Sequence, residues 1–142
     1  MTALTPNMIQ HTGLDPLASR YVDIENLAWQ PSNFPGVDFK TLLVDTETGI
    51  LTTLVRMAPG ATLPDHKHME IEQTYVLEGR LVDNDGEATS GNFVWRPSGS
   101  RHSAYAPDGA LLLGIFLKPN RFFHQDGSET DMLGRDYDST WS

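Results

Sequence analysis

Short apolar runs separated by turn sequences recur along most of the chain, and they constrain its fold more than any other feature. The runs cover residues 39–45, 51–57, 74–81, 93–96, 100–106 and 111–117. Between them lie clusters rich in Gly, Pro, Asn and Asp, of which Asp85-Gly86 is a strong hairpin signal. Because the turns recur at strand spacing and no long stretch shows a capped helical period, the sequence predicts an all-β sandwich or barrel.

The chain divides into three predicted parts within one domain. Residues 1–20 are aperiodic and predict an irregular N-terminal arm, whereas residues 21–123 carry the β pattern and predict the barrel. Residues 124–142 are polar and acidic and predict a C-terminal tail with one short helical turn. The tail is either disordered or folds back over a barrel mouth or a partner subunit. A chain of 142 residues can bury a hydrophobic core without disulfides.

Charge and composition exclude several classes of function. The formal net charge of -9 argues against nucleic acid and anionic membranes as partners. The absence of cysteine excludes disulfides, thiolate zinc sites, iron–sulfur clusters and a cysteine nucleophile. No basic and apolar leader and no apolar run of about 20 residues is present, so we expect a cytoplasmic protein without a membrane span.

Three histidines and a glutamate form a candidate metal site. His66 and His68 are two residues apart and can share one face of a strand, and Glu72 returns to that face if the strand continues. His102 must come from another strand, which the preceding glycines and proline allow to lie antiparallel to the first. Imidazole and carboxylate ligands without sulfur suit Fe, Mn, Ni, Cu or Zn. Four such ligands leave open coordination positions, which is typical of catalytic sites.

The residues around these four positions form two motifs that resemble those of the cupin superfamily. The first is G-x5-H-x-H-x3-E-x6-G, from Gly60 to Gly79, and the second is G-x5-P-x-G-x2-H, from Gly91 to His102. One departure is Ala106, where the cupin pattern usually has Asn. The stretch from about residue 29 to residue 123 is similar to the ChrR-like cupin group within that superfamily.

This resemblance implies an all-β, single-domain cupin jelly-roll β-barrel, often dimeric, with a metal near the barrel axis. The ChrR-like group includes zinc-binding sensor domains of anti-sigma factors. It is also similar to small dioxygenases that cleave a carbon–carbon bond in diketones or hydroxyacetophenones. The diketone-cleaving relatives hold iron with three histidines and lack the glutamate, so Glu72 departs from their pattern.

The leading interpretation is therefore a metal-dependent dioxygenase with one divalent transition metal and no organic cofactor. Iron(II) is the favoured metal, with Zn, Ni, Mn and Cu as alternatives. The expected partners are a second copy of the chain and a small dicarbonyl, enolate or hydroxyacetophenone-type substrate, which Arg96, Tyr75 and Tyr105 are candidates to contact. The alternatives are a zinc-binding ChrR-like sensor without catalysis and a non-redox metal-dependent isomerase. Iron or another redox metal would favour the oxygenase, and tightly held zinc would favour the sensor or the isomerase.

Overall fold

The structure, a computed structural model, describes residues 2–141, and its regular elements are almost all strands. The elements are β1 (Gln30–Pro31), β2 (Val37–Val44), β3 (Leu51–Met57), β4 (Ala61–Lys67), β5 (Glu72–Val82), β6 (Glu87–Thr89), β7 (Phe93–Arg96), β8 (Arg101–Ala106), β9 (Ala110–Phe116), β10 (Arg121–Phe123), β11 (Glu129–Thr130) and α1 (Tyr137–Trp141). Two single-turn 3₁₀ helices, Ile9–His11 and Ile24–Asn26, precede the first strand.

All pairings are antiparallel, and the strands form one curled sheet. Its order is β1-β2-β3-β9-β5-β8-β4-β10-β11, and β6 and β7 also pair with β5. The long β5 strand joins the two halves of the barrel because it pairs with β9 from Glu72 to Gly79 and with β8 at Val82. The predicted all-β, single-domain jelly-roll barrel is confirmed.

The core is formed by alternate residues that face the barrel interior. Val55 and Met57 of β3, Val76 of β5 and Leu112 of β9 belong to one buried cluster with Phe122 of β10. Each such side chain contributes about 1.5–3 kcal/mol by leaving water. The cluster reaches the histidines, since the Phe122 ring lies 4.8 Å from that of His66 between centroids.

The predicted runs coincide with β2, β3, β5, β7, β8 and β9, and no boundary differs by more than two residues. The Asp85-Gly86 signal is confirmed as the turn of the β5–β6 hairpin, where the Asp83 N–H donates to the Gly86 carbonyl over 3.0 Å. The short strands β6, β10 and β11 were not predicted, because two or three residues are too few to show an alternation.

The arm and the tail both contact the barrel. In the arm, Leu4 exchanges backbone hydrogen bonds with Val44 at the end of β2. In the tail, β11 pairs with β10, and the buried Tyr137 hydroxyl donates to the Pro119 carbonyl over 2.6 Å. The tail thus folds back on the barrel, and its single helical turn lies in α1. Within residues 2–141 no helix combines the length and apolar character needed to cross a bilayer.

A β-bulge in β4 changes which of its side chains face inward. Leu63 pairs with Ala104 and His66 pairs with His102, so β4 carries one residue more than β8 between these two pairs. Before the bulge the buried side chains of β4 are odd-numbered, and after it they are even-numbered. The bulge therefore turns His66 toward the barrel interior.

Candidate metal centre

Three histidines converge inside the barrel. His66 near the end of β4 pairs directly with His102 in β8, and the ligand atoms of these two and of His68 all lie within 4.8 Å of one another. His66 and His68 are fully buried and His102 is partly buried. The loop that carries His68 is held by two backbone bonds, His68 N–H to the Ser100 carbonyl (2.8 Å) and Gly99 N–H to the His68 carbonyl (2.7 Å).

The outer nitrogens of two of these rings are held by oxygen acceptors. Nδ1 of His66 donates to the Pro64 carbonyl over 2.7 Å, and Nδ1 of His102 donates to Oδ2 of Asp83 over 3.0 Å. Because a carbonyl or an ionised carboxylate can only accept, each Nδ1 carries the proton and each Nε2 keeps its lone pair. Such partners fix the tautomer in which a histidine binds a metal.

The ligand nitrogens of His68 and His102 lie at a distance that allows both to bind one metal ion. Nε2 of His68 is 2.9 Å from Nε2 of His102. Two nitrogens that sit about 2.1 Å from one ion, at right angles to each other, are separated by about 3.0 Å. Nε2 of His102 presents a lone pair, and when the proton of His68 is on Nδ1, beside Glu72, Nε2 of His68 presents one too, so a cation between the two nitrogens would satisfy both. The donor set therefore fits a divalent transition metal.

Glu72 reaches the cluster from a different element than the sequence predicted. The condition that the strand continues from His66 to Glu72 is not met, because β4 ends at Lys67 and β5 begins at Glu72. Oε2 of Glu72 lies 2.6 Å from Nδ1 of His68, without the angles of a hydrogen bond. Oε1 accepts the Thr74 hydroxyl over 2.7 Å. The carboxylate thus lies against the outer nitrogen of His68, and its role as a fourth ligand stays a prediction.

Burial and neighbouring charges set the protonation of the site. Burial lowers the pKa of His66 to about 4, and burial together with the Arg96 charge lowers that of His102. Burial by itself would raise the pKa of Glu72, but the contacts to His68 and Thr74 outweigh it and lower the pKa to about 2. At His66, His102 and Glu72 these shifts favour neutral imidazoles and an ionised carboxylate, the forms that bind cations.

Asp83 is a functional residue that the sequence did not reveal. It lies in the β5–β6 turn, where Oδ1 accepts the backbone N–H groups of Asp85 and Gly86 over 2.8 and 3.1 Å. Its other oxygen, Oδ2, accepts from His102 and from the buried Arg96 guanidinium. No sequence pattern distinguishes a turn aspartate whose second carboxylate oxygen is free to accept a distant donor, so the sequence predicted Asp83 only as part of a hairpin turn.

A cavity of about 30 Å³ adjoins the histidines, and among the predicted substrate contacts only Arg96 lines it in the described part of the chain. Tyr75 and Tyr105 are 42% and 45% exposed. Their neighbours Thr74 and Ala104 face inward, so strand alternation turns both tyrosines to the outer surface. The structure therefore brings one of the three predicted contacts to the site.

Comparison with known proteins agrees with this architecture. A family model described as the ChrR cupin-like domain matches residues 17–121. No curated protein sequence matches the chain significantly.

Several solved structures resemble the chain. A candidate acetylacetone dioxygenase from Methylibium petroleiphilum PM1 has a TM-score of 0.73 and 22% identity, over 91% of this chain and 98% of that one. The acetylacetone dioxygenase from Acinetobacter johnsonii has a TM-score of 0.71 and 20% identity, over 90% and 94%. The anti-sigma factor ChrR of Rhodobacter sphaeroides, in complex with SigE, has a TM-score of 0.56 and 23% identity, over 66% and 50%. At these identities the likeness shows a shared fold.

Proposed function

Because the chain belongs to the family of ChrR cupin-like domains, we propose that it is a metal-dependent dioxygenase for enolisable dicarbonyl or hydroxyacetophenone-type compounds. The observation that carries the proposal is the set of three buried or partly buried histidines whose ligand nitrogens lie within 4.8 Å of one another, beside a cavity. The likeness to two structures named for acetylacetone dioxygenase activity supports the reaction class.

The charges around the histidines favour an anionic substrate. A divalent metal held by the histidines supplies a Lewis acid for enolate oxygens and, if it is iron(II), an electron donor for O₂. The ionised Glu72 and Asp83 and the positive Arg96 contribute a net charge of about minus one beside the histidines. A dication reverses that sign, and a singly charged enolate then neutralises it.

Most of the remaining wall residues are apolar and would exclude water from the reacting atoms, and Thr74 and Asn120 are the polar exceptions among the described residues. The reaction that this site suits joins a 1,3-diketone, R–CO–CH₂–CO–R′, with O₂ to form a carboxylic acid, R–COOH, and a 2-oxoaldehyde, R′–CO–CHO. Both oxygen atoms of O₂ enter the products, so no further reductant is needed. The aliphatic and aromatic wall residues are Val55, Leu63, Leu81, Ala104, Leu112 and Phe116.

Metal content and oxygen consumption test the proposal. Protein purified without a metal-affinity step should contain one transition metal per chain by elemental analysis. After loading with iron(II), it should consume one O₂ per molecule of a cleaved diketone in an oxygen electrode. His102→Ala should lose most of the metal and the activity, whereas His11→Ala, in the arm, should keep both. Unchanged metal content in the His102 variant would show that the site is assigned incorrectly.

Glu72→Gln tests the fourth ligand. If the carboxylate binds the metal, the neutral amide should release it readily, and a cobalt(II)-loaded variant should show a changed visible spectrum. If Glu72 only orients His68, affinity should fall by about 10- to 100-fold with the spectrum unchanged.

A zinc-binding regulatory domain is the second candidate function. It is favoured by the likeness to ChrR, which is described in complex with SigE. In that case the native metal should be tightly held zinc, and the iron-loaded protein should consume no O₂ with any diketone or hydroxyacetophenone tested.

We also propose that the protein is a homodimer. Tyr75, Phe93 and Trp95 lie beside one another on the outer face of β5 and β7 and are 42%, 53% and 56% exposed. A contiguous exposed aromatic patch of this kind is typical of protein interfaces. Sedimentation equilibrium should give a dimer mass for the wild type and a monomer mass for Trp95→Ser, and a wild-type monomer would contradict the proposal.

A further inference from the structure

A pocket of about 600 Å³ opens at the mouth of the barrel, beside the small cavity at the histidines. We call it the mouth pocket. Its walls come from β2 and β3, from Pro6 and Asn7 of the arm, from residues 26–30 and from the tail between residues 131 and 141. Phe116, Asn120 and Met132 line both the mouth pocket and the small cavity, so the two spaces lie back to back.

The two spaces differ in what they can hold. About 30 Å³ corresponds to one water molecule, and even a five-carbon diketone has seven non-hydrogen atoms. The mouth pocket, by contrast, has the volume of a typical small-molecule site, about 300–1,000 Å³. For a substrate whose oxygens reach the histidines, the mouth pocket offers the adjoining space that can take the remainder of the molecule.

Two buried polar atoms in the mouth pocket have no protein partner. Oδ1 of Asn120 and Oγ1 of Thr53 make no hydrogen bond, although these residues are only 8% and 3% exposed. A buried acceptor without a donor is unfavourable, so such groups are usually satisfied by a ligand or by water. Asn120 lies where the two spaces meet, which is the position for a contact to the substrate.

We infer that the substrate is a 1,3-dicarbonyl compound with a bulky, mainly apolar substituent that fills the mouth pocket and bears a hydroxyl or amide group donating to Oδ1 of Asn120. The inference rests on the proposed function for the reacting end of the molecule. It assigns the substituent and the residues that select it.

Calorimetric titration of the zinc-loaded protein tests the inference without turnover. Acetylacetone is compared with 2,4-nonanedione, which has four more methylenes, and with the 9-hydroxy derivative of 2,4-nonanedione. Because each buried methylene contributes roughly a fourfold gain in affinity, 2,4-nonanedione should bind at least about tenfold more tightly than acetylacetone. The hydroxyl should add a further gain that Asn120→Leu abolishes while its melting temperature does not fall.

A substitution that fills the mouth pocket tests the inference, and the same substitution outside the pocket is its control. Leu133→Trp places a larger side chain in the pocket wall and should bring the affinity ratio of 2,4-nonanedione to acetylacetone close to one. Leu17→Trp, at a 95% exposed position of the arm, is the same substitution outside the pocket and should keep the wild-type ratio.

The outcomes separate this inference from the proposed function. An affinity that does not rise with substituent size, or a ratio that Leu133→Trp leaves unchanged, overturns the inference even if the iron-loaded protein consumes O₂ with acetylacetone. Size-dependent binding without O₂ consumption by any compound upholds the mouth pocket and contradicts the oxygenase.

Discussion

Asp83→Asn should weaken metal binding although the side chain is not placed to touch the metal. The substitution keeps the size of the side chain and one acceptor oxygen, which the backbone N–H groups of Asp85 and Gly86 already use. The new amide then presents its donor hydrogens to His102 Nδ1 and to Arg96, two groups that are themselves donors. His102 thus loses the acceptor that holds its ring and tautomer.

The expected magnitude follows from the role of that acceptor. Loss of a group that orients a metal-binding histidine costs about 10- to 100-fold in affinity, or about 1.4–2.7 kcal/mol. Stability should fall as well, because the Arg96 side chain is only 11% exposed and loses its carboxylate partner. Breaking a buried ion pair on one side costs about 3–5 kcal/mol.

Competition with a chromogenic zinc chelator at pH 7 measures the affinity, and urea unfolding of the metal-free protein measures the stability. Asp85→Asn is the control, because Asp85 is an exposed residue of the same turn and, within residues 2–141, its side chain makes no hydrogen bond or ion pair with the histidines. If Asp83→Asn lowers stability but binds zinc within about twofold of the control, Asp83 supports only Arg96 and the reasoning about His102 is refuted.

Three further predictions concern stability. Gly79→Ala should lower the free energy of unfolding in urea by more than about 3 kcal/mol, because φ is +72° and a Cβ would lie 2.0 Å from the Gly109 carbonyl oxygen. Gly91→Ala, with φ of +82° and open space around it, should cost only about 1–2 kcal/mol, and equal costs would contradict the steric argument. The pKa of His66 is about 4 in the folded chain and about 6.5 when unfolded, so the free energy of unfolding of the metal-free protein should be highest above pH 6.5 and fall by up to about 1.4 kcal/mol per pH unit toward pH 4. The same slope in His66→Gln would show that other groups cause the pH dependence. Tyr137→Phe should cost about 1–2 kcal/mol, since it leaves the buried Pro119 carbonyl unpaired, and a neutral effect would show that water replaces the hydroxyl.

The sequence predicted the strands well because their apolar alternation and turn residues are local. Runs of four to eight residues bounded by Gly, Pro and Asp are sufficient to locate β5, β7 and β9. The convergence of His66, His68 and His102 followed from the motif spacing, and the antiparallel pairing of their strands is as expected. Thr74 and Val76 also face inward as their parity relative to Glu72 required.

The remaining features depend on contacts between distant residues, which no local pattern encodes. Asp83 lies in a surface turn, and only the curl of β5 against β8 brings its carboxylate to His102. Tyr75 and Tyr105 are each one position away from an inward-facing residue, so the face on which they lie could be known only from the strand register. The mouth pocket is built partly from the arm and the tail, segments without any hydrophobic period.

The β-bulge at Pro64-Asp65 shifts the inward-facing positions of β4 by one residue. Before the bulge the inward-facing side chains belong to the core, and after it they are histidines. A change in the number of residues at the bulge should therefore affect the metal site without altering any core side chain or ligand. Deleting Asp65 should leave every histidine in the chain and every apolar core residue unchanged, yet it should turn the His66 ring outward. A scan of single-residue deletions through β4 would thus report on the metal site in a way that no substitution can.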